Sequence, residues 1–113
     1  MAEDVAALLK ELGLEPLNGT YNRKVSGVFI SDMVSDVMNG AGPGDIWVTV
    51  QTHKNIIAAA HLVDVSVIIV TRGKNVPKET LDIADRVEMS VVSTPMETYA
   101  VAARLCQAGI GLP

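Results

Sequence analysis

Four times along the chain, a short run rich in Val and Ile is followed by a stretch of helical character. The runs start near Val25 (VSGVFI), Ile46 (IWVTV), Val65 (VSVIIV) and Ser90 (SVV). Regular strand–helix alternation argues for a parallel α/β sheet. Val65–Val70 is almost continuously apolar, as expected of a strand buried on both faces. The fold class is therefore α/β: one domain over residues 1–113, three layers, and a mainly parallel sheet of about five strands. Right-handed crossovers are expected to place helices on both faces.

Composition agrees with this pattern. The chain has 113 residues, of which 49% are hydrophobic and only 4% aromatic. Sixteen Val and twelve Ala carry the apolar mass. Val fills strands, and Ala lets helices lie close to a sheet or to a second copy. The helices are read from local signals. Asp4 caps a short helix over about residues 4–13, which Gly13 ends. A helix is expected over Ser31–Asn39, and an apolar one over His53–Leu62. Pro77 opens a helix running to about Val87. Thr94-Pro95-Met96-Glu97 fits a capping box before a last helix to about Ala108. Cys106, late in that helix, is expected to be a buried thiol.

The same arithmetic restricts function. A formal net charge of −4 gives no basic field for nucleic acid. No apolar run approaches the roughly 20 residues that cross a membrane. One Cys excludes a disulfide framework and fits a reducing cytoplasm. No metal or cofactor is expected, because His53 and His61 lack carboxylates at ligand spacing. No P-loop or GxGxxG follows a strand, so kinase and dinucleotide chemistry are not expected. Gly40–Gly44 precedes a strand, which excludes it as a phosphate loop.

Each strand run ends in polar residues, which a parallel sheet brings to one carboxyl edge. Ligands in open α/β folds bind there, where strand order reverses. The main candidates are Gln51, Thr52, His53 and Asn55 after the second run. Thr71, Arg72 and Gly73 follow the third run, and Ser93 and Thr94 follow the fourth. Ser31, Asp32, Lys54 and Lys74 are secondary candidates. His53, Lys54, Arg72 and Lys74 would form a basic rim on an acidic protein, suited to phosphate or carboxylate. His61 reads as a packing or surface residue. Tyr99 is placed off this edge, which leaves phosphate and backbone contacts to hold any nucleotide.

The segments GVFISDMVSDVM, GDIWVTVQTHKNIIAAA, VSVIIVTRG and STPMETYAVAARL, in this order, resemble the DRTGG domain family. They are similar to the N-terminal domain of HPr kinase/phosphorylase proteins, from about Leu14 to Ile110. The family's Gly-Asp-Arg segment corresponds to Gln51-Thr52-His53, and its Thr-Gly-Gly segment to Thr71-Arg72-Gly73. The resemblance implies a small parallel α/β fold with a regulatory or assembly role, beside CBS domains, within larger enzymes, or alone near redox genes.

The leading expectation is thus a non-enzymatic homodimeric sensor of a small anion, a nucleotide or phosphorylated metabolite. The alternative is an adaptor subunit for a redox-enzyme partner, without a small ligand. A third reading, a small enzyme using His53 as acid or base, lacks an oriented second group.

Overall fold

In a computed structural model, residues 2–111 are described and form nine elements. They are α1 (Val5–Leu12), β1 (Gly27–Ile30), α2 (Val34–Gly40), β2 (Asp45–Thr49), α3 (Asn55–Leu62), β3 (Val67–Val70), α4 (Lys78–Arg86), β4 (Ser90–Ser93) and α5 (Thr98–Gln107). The four strands are all parallel, in the order β1-β2-β3-β4. The sheet has four strands, one fewer than the expected five or so. The extended segment after α1 joins the sheet through one isolated antiparallel bridge, Pro16 to Val92, and makes a second bridge, Lys24 to Asp4, outside it.

The strand order explains the layers. With the strands in sequential order, crossovers of a single hand place all three connecting helices on one face. That face packs Val37 of α2, Ile56 and Ile57 of α3 and Ala84 of α4 against Trp47, Ile68, Val70 and Val91. The alternate strand residues Ile46, Val48, Val67, Ile69 and Val92 meet the opposite layer. That layer is built from Leu8, Leu9 and Leu12 of α1 and Val101 and Leu105 of α5. Helices cover both faces as expected, but crossovers build only one cover. The two terminal helices supply the other.

Several local readings hold. Asp4 accepts the Ala7 N–H at 2.9 Å as the α1 cap, and Gly13 ends that helix at φ +69°. All of β3 is fully buried. Others change. The capping box before α5 does not form: Glu97 occupies the cap position without a side-chain bond, and Thr94 Oγ1 instead accepts Met96 N–H at 3.2 Å. Cys106 is exposed, because Val101 and Leu105 take the sheet-facing side of α5.

The Leu14–Ser26 stretch works as a strap. It pairs with β4 through Leu17 N–H to Val91 carbonyl at 2.8 Å. It then crosses the amino ends of the strands toward β1. Arg23 on this strap reaches the ends of two helices. Its guanidinium donates to the carbonyls of Val65, Val87 and Glu88 and to the Asp64 carboxylate, at 2.9–3.3 Å. A cation there opposes the negative ends of two helix dipoles.

Candidate functional site

The carboxyl edge of the sheet gathers the loops after all four strands. The expected crevice at a reversal of strand order does not exist, because the order never reverses. A related break does occur. The loop after β3 leads to α4 on one face, and the loop after β4 leads to α5 on the other.

These two loops are tied to each other by backbone bonds. Arg72 N–H donates to the Met96 carbonyl at 2.8 Å, and Gly73 N–H to the Thr94 carbonyl at 2.9 Å. The tie requires two consecutive left-handed residues, Arg72 at φ +67° and Gly73 at φ +66°. Gly tolerates this conformation, whereas Arg does so at a cost of about 1–2 kcal/mol. Arg72 is exposed, and its Nε lies 3.3 Å from Glu97 Oε2. Lys74 is exposed beside it.

The loop after β2 lies next to this pair because β2 and β3 are neighbours. His53 and Asn55 are exposed there, and His53 Nδ1 accepts Asn55 N–H at 3.2 Å. That leaves Nε2 as the remaining polar atom of the ring. Lys54 Nζ pairs with Glu79 at 3.0 Å on an exposed surface, a contact of little energetic weight. Gln51 is exposed and donates its amide to the Asp32 carbonyl at 3.0 Å.

Other candidates do structural work. Thr71 is fully buried, with its hydroxyl 2.8 Å from that of Thr98. Thr94 is buried and engaged in its own turn. The Thr52 carbonyl accepts the Thr80 hydroxyl at 2.9 Å, joining this loop to α4. Ser93 donates to the Lys74 carbonyl at 3.3 Å. The Asp32 carboxylate accepts Thr49 Oγ1 and Val50 N–H, both at 3.0 Å, so it braces the end of β2. Ser31 Oγ accepts Met33 N–H at 3.2 Å. The edge therefore presents Gln51, His53, Lys54, Asn55, Arg72 and Lys74 on a braced frame. Tyr99, 85% exposed in the first turn of α5, begins at this same edge, which corrects its expected place.

The opposite edge holds features that sequence reasoning missed. A cavity of about 530 Å³ opens among Arg23, Lys24, His61, Asp64 and Ser66. No periodicity marks it, because its residues come from the strap and from helix and strand ends.

Four parallel strands between two helical layers, with a polar loop edge bearing several basic side chains, define a small α/β domain. The chain belongs to the DRTGG domain family, whose model matches residues 7–108. It is also similar to a solved structure of the CBS and DRTGG domains of the regulatory region of Clostridium perfringens pyrophosphatase, complexed with its activator, diadenosine tetraphosphate. The TM-score is 0.72 at 22% identity, over 94% of this chain and 47% of that one. At that identity the likeness shows the fold, and the chain spans about half the length of that relative. No curated protein matches the chain. No helix among the described residues is long and apolar enough to cross a membrane.

Proposed function

We propose that the chain is a regulatory module that senses a nucleotide at the carboxyl edge of its sheet and acts as a homodimer without catalysis of its own. The observation that carries this reading is Arg72. Its backbone is held in a strained left-handed conformation by bonds to the neighbouring loop, while its side chain stays exposed. Strain at a braced, exposed cation is a mark of functional placement. Family membership and the nucleotide-activated relative support the same reading.

Arg72, Lys74 and His53 would meet the phosphates, and Gln51 and Asn55 would supply directional hydrogen bonds. Thermal-shift measurements with adenine dinucleotides and mononucleotides test this. A ligand at 100 times its Kd stabilises by about 2.7 kcal/mol. The expected shift is lost in Arg72→Ala and reduced in His53→Ala. A shift that survives both substitutions moves the site elsewhere, and no shift at millimolar nucleotide contradicts the reading.

An adaptor role draws on a different observation. Ile30 at the end of β1, Met33 at the cap of α2 and Met38 within α2 are 48%, 64% and 45% exposed. Exposed apolar side chains suit a protein partner or a second copy.

A further inference from the structure

The amino edge carries an open cavity, remote from the proposed nucleotide site. It measures about 530 Å³, within the range of small-molecule pockets. Its lining contains three basic residues, Arg23, Lys24 and His61, against one carboxylate, Asp64. Arg23 is paired with Asp64, which leaves Lys24 and His61 as the unengaged basic side chains of the lining.

The three basic residues have different tasks. Arg23 spends its terminal nitrogens on Asp64 and on the carbonyls of Val65, Val87 and Glu88. This neutralises the α3 and α4 ends, which would otherwise repel an anion. Lys24 and His61 are exposed and left to meet a ligand.

The remaining polar groups act as acceptors. Ser66 Oγ donates its proton to the Lys24 carbonyl, and Ser26 Oγ donates to the Pro43 carbonyl at 3.3 Å. Toward a ligand these oxygens therefore offer lone pairs. Asp64 Oδ1 is engaged by Arg23, which leaves Oδ2 as a further acceptor. Cations plus hydroxyl acceptors match a molecule with one strong anion and several hydroxyl donors.

We infer that this amino-edge cavity binds a small phosphorylated polyol of the sugar-phosphate class. Lys24 and His61 hold the phosphate, and Ser26, Ser66 and Asp64 accept from the hydroxyls. The inference does not depend on the nucleotide reading.

The test is a titration with glucose 6-phosphate, followed by amide chemical shifts of the labelled protein. Saturable shifts are expected at Lys24, Ser26, Gly44, His61 and Ser66. Lys24→Ala and His61→Gln, both at exposed positions that leave the fold intact, should each weaken binding about fivefold, the scale of an exposed charge pair. Arg72→Ala should leave it unchanged. Inorganic phosphate and glucose should each bind more weakly than the ester. Shifts confined to residues 51–55 and 71–74 would overturn the inference while leaving the nucleotide site standing. Absence of saturable shifts, or shifts unaffected by both substitutions, would also overturn it. Equal binding of phosphate and ester would remove the polyol assignment.

Discussion

Arg23 joins parts of the molecule that are far apart in sequence. One side chain, 24% exposed, serves the carbonyls at the start of β3 and the end of α4 and the carboxylate beyond α3. Arg23→Ala should lower unfolding free energy by about 2 kcal/mol, because it orphans partly buried carbonyls and uncovers two helix dipoles. Denaturant titration checks this. Glu88, two residues past α4, shows the opposite case. It sits at φ +55°, where glycine is at ease, and Arg23 binds only its backbone carbonyl. Glu88→Gly should therefore stabilise the chain by about 0.5 kcal/mol after the extra entropy of the unfolded glycine is counted.

Asp85 gives a pH dependence. Its carboxylate accepts Gly19 N–H, the Tyr21 hydroxyl and the Asn18 amide, and these bonds hold it below the usual carboxylate range. Its contribution is complete above the unfolded value of about 3.9 and is lost as pH falls through the lower folded value. The bond from Tyr21 to Asp85 pushes the phenol above its ordinary value. That contribution is present below about pH 10 and is lost as pH rises through the folded value. Asp85→Asn should flatten the melting-temperature profile at the acid end, and Tyr21→Phe at the alkaline end. Unchanged profiles would show that the strap is held by other bonds.

At the scale of elements, the outer edge of β4 is covered by the strap. Leu17 N–H reaches the Val91 carbonyl, and the Asn18 side chain accepts Val91 N–H at 2.8 Å while donating to the Met89 carbonyl. A single amide thus does the work of a neighbouring strand. Asn18→Ala leaves the buried Val91 N–H unpaired and should cost about 2 kcal/mol. Faster hydrogen exchange at Val91 is the local readout. This arrangement also shows what the sequence could reveal. Val67–Val70 is legible because burial on both faces demands an unbroken apolar run. The α1 cap is legible because Asp4 and Ala7 are three residues apart. The role of Asn18 is not, since its partners lie 67–73 residues away. The capping box before α5 fails for a related reason: Thr94 is buried beside the backbone tie to Gly73, and helix geometry starts only at Thr98. Within the candidate site, chain order located the loops correctly. It could not separate exposed His53 and Arg72 from buried Thr71 and Thr94, because that division is made by tertiary contacts.

For the whole molecule, the monotonic strand order sets the functional geometry. It spends α3 on the core, where Ile56, Ile57, Ala59 and Ala60 are buried, so that apolar helix is not a free docking face. The proposed homodimer would then draw on exposed Ile30, Met33 and Met38. Met33→Glu should shift light scattering toward the monomer mass without changing the melting temperature of that monomer. The strand order also sends the loops after β3 and β4 to opposite layers, and Arg72 is fixed at that divide. The most direct test of the nucleotide-sensing account is an amide-shift titration of the labelled chain with diadenosine tetraphosphate. The account predicts saturable shifts at residues 51–55 and 71–74 that disappear in Arg72→Ala. Shifts that persist in that variant, or none at millimolar nucleotide, would contradict it.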